Sequence, residues 1–230
     1  MAPEVVKLQA RVIVSDLDRT LTGADLRLDP RVLERIAELR EGGVRVVIAT
    51  GRRLEELVDM GLVDRVDGLV AENGAIVCVP HENVLETREP GFRDAARAAL
   101  GELASSFHWG RVIGSGPREA SREVAARLDA AGVAHALEFN AQEVMILPRG
   151  VDKAVGAEAC LRRLGLTRDD AWAIGDGEND ASLLAWAHVG AAPANAAPAA
   201  MRSADVLLGG AYSDAFLELT ASLLARRLAP

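Results

Sequence analysis

Apolar residues near the start of the chain form a continuous run that ends at a polar cluster. The run is Val12–Val14 and the polar segment is 15–22, as expected of a buried parallel strand that leads into a loop. Asp29 and Pro30 are then typical of a helix start, and apolar residues recur after them at helical spacing. A second apolar run, Val44–Ala49, predicts the next strand. This order of strand, helix and strand predicts a βαβ unit with a parallel sheet.

The same alternation returns in the last third of the chain. It predicts a helix from Lys153 to Leu164, a strand at Ala171–Ile174, a helix from Asn179 and a strand near Val189. Because both ends of the chain alternate in this way, they predict a single α/β layer. We therefore expect residues 1–87 and 149–230 to form one core with a Rossmann-like parallel sheet.

The middle of the chain has a different pattern. The turn signal Glu72-Asn73-Gly74 precedes two short segments, 75–79 and 83–86, that predict a hairpin. The pattern then predicts helices at Phe92–Leu103 and Arg118–Ala131, and strands at Arg111–Ile113, Ala134–Phe139 and Glu143–Leu147. We predict that residues 88–148 are an inserted α+β domain. Gly114–Pro117 is interpreted as a plain turn and Ala191–Ala200 as a loop with a short helix, without a function of its own.

Composition and charge narrow the function classes. The chain has 230 residues and a net charge of −8, so nucleic acid is not an expected partner. The two cysteines, Cys78 and Cys160, lie far apart in sequence, which favours buried thiols over a disulfide framework or a cysteine-bound zinc. The segment Met1–Ala10 lacks the apolar region of a secretory signal, and no run is long enough to span a membrane. We therefore expect a cytoplasmic protein without a membrane partner.

Two carboxylates follow the first predicted strand. Asp16 and Asp18 are two residues apart, so in an extended segment their side chains point the same way, at the edge where parallel sheets bind ligands. Such a pair requires a cation or a proton to compensate its charge. The alternative is a solvated turn in which the two acids act as caps. The pair is a candidate catalytic site.

A second acidic cluster, Gly175-Asp176-Gly177-Glu178-Asn179-Asp180, follows the strand predicted at Ala171–Ile174. Its carboxylate and amide oxygens suit a hard cation such as Mg²⁺. A helix cap alone would need only one acid, although Asp176 or Asn179 could also serve as a cap. We therefore expect the cluster to contribute metal ligands.

Two further features indicate a site for an anion. Thr50 and Gly51 end the second strand and offer a hydroxyl and backbone N–H groups at a predicted helix N-terminus. Lys153 is one of only two lysines in a chain whose other cations are arginines. A compact ammonium suits a phosphate oxygen or an acidic cluster, where a planar guanidinium would be bulky, and chance retention is the alternative.

Together these features resemble the haloacid dehalogenase-like hydrolase superfamily, because its four motifs occur in order. They are Asp16 to Thr20, Thr50, Lys153 and Gly175 to Asp180. The turn Glu72 to Ala75 and the insertion after it resemble the Cof-type, C2-capped branch, and within it archaeal-type phosphoglycolate phosphatases and sucrose-phosphatase-like enzymes. The resemblance implies an α/β fold with a Rossmann-like parallel-sheet core, as in the haloacid dehalogenase superfamily, and a small inserted α+β cap of the C2 type.

The resemblance also implies a division of roles among these residues. Asp16 would attack phosphorus and form an aspartyl-phosphate, and Asp18 would protonate the leaving alkoxide and then activate water. Mg²⁺ would be held by Asp16, the backbone carbonyl of Asp18, Asp176 and Asp180. Thr50, Gly51 and Lys153 would bind the phosphate, with Asn179 orienting Lys153 or the nucleophile. Arg19 is a departure, since relatives most often carry glycine there.

The expected function is Mg²⁺-dependent hydrolysis of a small phosphorylated metabolite, phosphoglycolate-like or a sugar phosphate, by a monomer or a homodimer. A phosphotransferase or phosphomutase of the same superfamily would use the same motifs. A non-catalytic phospholigand-binding module is an alternative from another class, whereas a nucleotide-binding oxidoreductase lacks its glycine fingerprint after the first strand. Four polar residues in the insertion or directly after it are candidates for substrate contact: His108, Arg118, His135 and Arg149.

Overall fold

A computed structural model of the chain describes residues 10–227. Its strands are β1 (Val12–Ser15), β2 (Arg45–Ala49), β3 (Gly68–Ala71), β4 (Ile76–Val79), β5 (Val84–Thr87), β6 (His108–Trp109), β7 (Gly114–Pro117), β8 (His135–Asn140), β9 (Glu143–Pro148), β10 (Ala171–Ile174), β11 (Val189–Ala192) and β12 (Val206–Leu207). Its helices are α1 (Pro30–Glu41), α2 (Leu54–Asp59), α3 (Phe92–Leu100), α4 (Ser121–Ala130), α5 (Lys153–Arg163), α6 (Ala181–Trp186), α7 (Pro198–Ser203) and α8 (Ser213–Arg227).

The larger sheet has the strand order β12-β11-β10-β1-β2-β3-β4-β5 within the described residues. Strands from β12 to β3 are parallel, and β4 and β5 continue the sheet antiparallel. The continuous apolar run of β1 follows from this placement, because both faces of the strand are buried. Ile13 packs into one hydrophobic cluster, while Val12 and Val14 pack into another on the opposite face. The predicted α/β class is confirmed.

The smaller sheet is antiparallel, with the order β6-β7-β9-β8, and comes from the segment between β5 and α5. Helices α3 and α4 pack on it through a third hydrophobic cluster. That cluster includes Phe92 and Leu100 of α3, Val124 and Leu128 of α4, and Val144 and Ile146 of β9. The segment thus has its own apolar core. The boundaries at residues 88 and 148 stay a prediction.

Two local predictions in this segment are wrong. Residues 111–113, predicted as a strand, form an irregular loop, and Gly114–Pro117, interpreted as a turn, is strand β7. The glycines of β7 have a packing reason, because aromatic rings cover them. A Cβ on Gly114 would lie 2.8 Å from the Trp109 ring, and a Cβ on Gly116 would lie 2.5 Å from the Phe107 ring.

Helix α5 begins at the larger sheet, and its start is fixed by a cap. The side chain of Asp152 accepts a hydrogen bond of 2.8 Å from the backbone N–H of Val155. Gly74 packs directly against the Asp152 carbonyl, at a positive φ of 98° that a larger residue rarely adopts. Lys153 is therefore the first helical residue of α5 and lies beside the turn that follows β3.

No helix among residues 10–227 is long and apolar enough to cross a membrane. Both cysteines are free thiols: Cys160 is buried and Cys78 is partly buried. The absence of a secretory signal was predicted from Met1 to Ala10, and all of that segment except Ala10 lies outside the described residues.

Candidate active site

Three carboxylates meet where β1 and β10 end. These two strands are parallel neighbours, and the backbone N–H of Asp16 donates to the carbonyl of Ile174 at 2.9 Å. Asp16 therefore lies beside the loop that carries Asp176 and Asp180. One oxygen from each of these three side chains lies within 4.8 Å of the others. The structure thus brings together residues from the first and the last predicted motif.

Lys153 supplies a positive charge inside this cluster. Its Nζ donates to Asp16 Oδ1 and to Asp180 Oδ1, each at 2.6 Å, and the side chain is 1% exposed. Burial acts to lower the pKa of Lys153, but the two carboxylates raise it by more, so the amine remains charged. The buried ammonium holds the two carboxylates in fixed positions.

The cluster has more negative than positive charge. Burial, together with the neighbouring Asp180, raises the pKa of Asp16 well above its ordinary value and that of Asp176 to about 6. Three carboxylates face one ammonium, so an additional hard cation would compensate the remaining charge. Carboxylate oxygens are also the ligands that Mg²⁺ prefers. The donor set therefore fits a magnesium ion.

Asp18 does not join the cluster but is held beside it by Arg52. The guanidinium donates twice, from Nε to Oδ2 at 2.8 Å and from Nη2 to Oδ1 at 2.6 Å. Such a two-point contact fixes the orientation of the carboxylate as well as its position. The same hydrogen bonds raise the pKa of Arg52, so its charge is secure. Arg52 directly follows Thr50 and Gly51, the two residues after the end of β2.

A cavity of about 330 Å³ joins these groups to the smaller sheet. Asp16, Asp18, Thr50, Gly51, Arg52, Asp176, Asn179 and Asp180 line it from the larger sheet. The smaller sheet contributes His108, Gly110, Ile113, Ser115, Asn140, Glu143 and Met145. The predicted site residues therefore surround one polar cavity between the two sheets, except Lys153, which lies behind Asp16 and Asp180.

The side chain of Asn179 contacts a different residue from those that its predicted orienting role requires. It was expected to orient Lys153 or the nucleophile, but its Nδ2 donates to Asn73 Oδ1 at 3.1 Å. Asn73 in turn donates to Glu138 Oε2 on β8 at 3.0 Å. Asn179 Oδ1 is buried without a hydrogen-bond partner in the described part of the chain. Asn179 thus connects the acidic loop with the smaller sheet.

Comparison with known sequences decides the family. The sequence model of a family described as haloacid dehalogenase-like hydrolase matches residues 13–97 and 106–219. The chain belongs to this hydrolase family. The resemblance given by the four motifs is thereby confirmed.

Relatives of this hydrolase include a protein named phosphoglycolate phosphatase from Methanopyrus kandleri. It is 33% identical over 209 residues, covering 86% of this chain and 90% of the relative. Among solved structures, a Thermoplasma acidophilum protein has a TM-score of 0.80 at 18% identity, with 94% of this chain and 99% of that one covered. A structure described as a subclass IIB sugar phosphatase has a TM-score of 0.73 at 18% identity, with 94% and 98% covered. These structures share the fold.

Two residues of this hydrolase that contact Asp176 were given no role from the sequence: Thr20, although it ends the first motif, and Asn195. Thr20 Oγ1 donates to Asp176 Oδ1 at 3.1 Å, and Asn195 Nδ2 lies 3.3 Å from Asp176 Oδ2. The expectation that Ala191–Ala200 carries no function is therefore incomplete. A signal was available, because Asn195 is the one polar side chain in this ten-residue segment and the other nine residues are alanines and prolines.

Arg19 of this hydrolase occupies a backbone position that favours glycine. Its φ is +60°, in the left-handed region that favours glycine. Its backbone N–H donates to Thr22 Oγ1 at 2.7 Å, and its carbonyl accepts from Asn195 at 3.1 Å. The side chain is exposed, and its positive charge opposes part of the rise in the pKa of Asp176 that burial causes.

Of the four polar candidates for substrate contact, His108 lines the cavity. Arg118 instead pairs with Glu178 at 2.8 Å, with its guanidinium carbon 4.5 Å from the centre of the Phe139 ring. His135 Nδ1 lies 3.0 Å from the carbonyl of Val133, away from the cavity, and Arg149 is exposed.

Proposed function

We propose that the protein is a magnesium-dependent phosphomonoesterase for a small phosphorylated metabolite, with phosphoglycolate or a sugar phosphate as the substrate class. The observation that carries the proposal is the position of Asp16. Its carboxylate lies beside a buried ammonium and two further carboxylates, at the wall of a cavity of about 330 Å³. The relative named phosphoglycolate phosphatase, at 33% identity, supports the first substrate.

Asp16 is the proposed nucleophile, and the ammonium group of Lys153 favours its ionised, reactive form. Lys153 bonds to Oδ1, so we assign Oδ2 as the atom that attacks phosphorus and forms an aspartyl-phosphate. Burial alone would favour a protonated and unreactive carboxylic acid. The ammonium opposes this effect. Thr50 and Gly51 are proposed to bind the phosphoryl oxygens, and Asn179 is proposed to contribute its amide.

Asp18 is the proposed general acid and base. It lies two residues after the nucleophile and lines the same cavity, where an alkoxide leaving group would be released. The two-point contact with Arg52 keeps its carboxyl group beside the cavity. After protonating the alkoxide, the resulting carboxylate can accept a proton from the water that hydrolyses the aspartyl-phosphate.

Magnesium is proposed to be held by Asp16, Asp176, Asp180 and the backbone carbonyl of Asp18. When bound, the ion would neutralise phosphoryl charge that the single ammonium cannot compensate alone. Hydrogen bonds from Thr20 and Asn195 to the two oxygens of Asp176 hold this carboxylate in one orientation, which a metal site requires.

We propose that residues 88–148 act as a cap that encloses the leaving group. The smaller sheet forms the wall of the cavity opposite Asp16, and a small ester would fill a volume of this size. A cytoplasmic location and a monomer or homodimer complete the proposal.

The test is phosphate release from an activated aryl phosphate, phosphoglycolate and hexose phosphates, with and without Mg²⁺. We expect Mg²⁺-dependent release that falls on the order of 10⁴-fold in Asp16→Asn. Asp18→Asn is expected to slow esters of basic alcohols more than the aryl ester, because the acid matters most when the leaving group is basic. Equal losses would contradict the acid role.

Two outcomes would replace the proposal. Phosphoryl transfer to a second sugar that outpaces transfer to water would establish a phosphotransferase or phosphomutase. A folded, metal-binding protein that releases no phosphate from any ester would indicate a phospholigand-binding module.

A further inference from the structure

Glu72 is a fully buried carboxylate outside the acidic cluster. It directly follows β3, its exposure is 0%, and none of the ion pairs within residues 10–227 includes it. Its oxygens instead accept hydrogen bonds from three consecutive backbone N–H groups of the smaller sheet's loop. Arg111 donates to Oε1 at 2.7 Å, and Val112 and Ile113 donate to Oε2 at 2.8 and 3.0 Å. We call these three hydrogen bonds the tether.

The loop is shaped to receive this carboxylate. Gly110 N–H donates to the carbonyl of Ile113 at 2.9 Å, which closes a turn around the side chain of Glu72. A Cβ on Gly110 would lie 2.5 Å from each carboxylate oxygen, so any larger residue would displace the carboxylate. A buried carboxylate is costly unless its hydrogen bonds are satisfied, and the tether satisfies them with backbone groups alone.

The tether links the two sides of the cavity. On one side, Glu72 N–H donates to the carbonyl of Arg52 at 2.9 Å, and Asn73 N–H donates to the carbonyl of Thr50 at 3.0 Å. The turn is therefore built on the segment proposed to bind phosphate. On the other side, Gly110 and Ile113 themselves line the cavity.

Glu72 also has a strained backbone that its contacts maintain. Its φ is +50°, and that of Asn73 is +49°. The left-handed region is unfavourable for a residue other than glycine, so surrounding contacts must hold these two residues there. Glu72 thus has a constrained backbone, and both of its carboxylate oxygens accept hydrogen bonds. Both features are typical of a residue that holds neighbouring segments in fixed positions.

We propose that Glu72 is a positioning residue that sets which leaving groups the cavity accepts. The tether holds the wall formed by His108, Gly110, Ile113 and Ser115 at a fixed distance from Asp16. A compact ester such as phosphoglycolate contacts the phosphate-binding segment and this wall together only while that distance is fixed. This inference rests on the proposed phosphomonoesterase function.

The test compares a compact ester, 2-phosphoglycolate, with a bulky activated ester, p-nitrophenyl phosphate, in the presence of Mg²⁺. Glu72→Gln keeps the size of the side chain but turns an NH₂ group toward backbone donors, so at least one hydrogen bond of the tether is lost. We expect KM for phosphoglycolate to rise about tenfold, with kcat and the rate on the aryl ester changed less than about threefold.

A second variant reaches the tether from the other side. Gly110→Ala displaces the carboxylate sterically, so it should reproduce the loss of selectivity, and the double variant should lose no more than either single one. If Glu72→Gln does not fold, Gly110→Ala decides the question alone.

Two matched controls separate the tether from general destabilisation. Asp67→Asn alters another buried carboxylate, which precedes β3 and therefore lies at the opposite end of this strand from Glu72, where it pairs with Arg45 at 2.8 Å. Gly91→Ala adds a Cβ that meets no atom within 4 Å. Both should keep the selectivity of the parent protein.

The inference is overturned if Glu72→Gln slows both esters equally, if Asp67→Asn shows the same change in selectivity, or if the losses in the double variant add. Failure of the proposed function has a different signature, because the parent protein would then hydrolyse neither ester.

Discussion

Replacing Glu138 by glutamine tests how the smaller sheet meets the site. Glu138 lies on β8, partly buried, and its Oε2 accepts from Asn73 Nδ2 at 3.0 Å. Burial raises its pKa from 4.5 to about 8, with Asp152 and Asp180 adding to the increase and Lys153 opposing it. In the folded protein, the side chain is therefore mostly protonated at neutral pH.

The sign of the effect on stability follows from proton linkage. Between pH 4.5 and pH 8 the folded protein keeps a proton that the unfolded chain has released, so the free energy of unfolding falls as pH rises through this window. From pH 6 to pH 9, the contribution of the Glu138 proton to the free energy of unfolding falls by the equivalent of about two pKa units, or roughly 2–3 kcal/mol. Glutamine has no such proton and should not show this loss.

The assay is urea unfolding followed by circular dichroism at pH 6 to pH 9, with EDTA so that no metal alters the charges near Asp180. The unfolding free energy of Glu138→Gln minus that of the parent protein should increase by roughly 2–3 kcal/mol across this range. All other titrating groups cancel in this difference. Glu143→Gln, at an exposed position of β9, is the control and should give a flat difference. The reasoning would be refuted if the unfolding free energies of Glu138→Gln and of the parent protein changed in parallel with pH.

Two further variants test the charges of the acidic cluster. Lys153→Met should abolish phosphate release and lower the unfolding free energy by about 3–5 kcal/mol, because it leaves Asp16 and Asp180 together without their cation. Addition of Mg²⁺ should restore part of the lost stability, as measured by urea unfolding. An unfolding free energy equal to that of the parent protein would contradict the assignment. Arg19→Gly removes an exposed positive charge near Asp176, so Mg²⁺ titrated calorimetrically should bind about two- to fivefold more tightly. Weaker binding would indicate that Arg19 supports the metal site.

The positions of the main acidic residues could be predicted because they depend on local pattern and on one rule of sheet geometry. The apolar run Ala171–Ile174 gave strand β10 with its observed ends, and the run before Asp16 gave β1. Parallel neighbours end at the same edge, so the acids that follow these two strands meet. The sequence does not encode the pairing of strands locally, but two apolar runs that end in acids constrain it strongly.

The tether could not be predicted, because its partners lie 39 to 41 residues apart and half of each contact is backbone. The N–H groups of residues 111–113 go to the carboxylate of Glu72, whereas an apolar pattern such as theirs ordinarily indicates a strand whose N–H groups bond to another strand. The strand begins instead at Gly114, where the Trp109 ring requires a glycine. Propensity favoured the wrong segment because a tertiary contact determined the outcome.

The contacts between the two sheets at the site are mainly polar, and this affects how firmly the sheets are held together there. Besides the tether, Asn73 contacts Glu138, Arg118 pairs with Glu178, and Arg111 pairs with Glu55. The apolar residues of α3, α4 and β9 form a cluster with Ala75, and this cluster is distinct from the two clusters on the faces of the larger sheet. Each polar contact exchanges with water for only about 1 kcal/mol, whereas opening a shared apolar core would expose surface at roughly 25 cal/mol per Å². A motion that separates the two sheets at the site would therefore break a few polar contacts and leave the three hydrophobic clusters intact. The tether places three hydrogen bonds on one carboxylate, so it is the contact that most opposes such a motion.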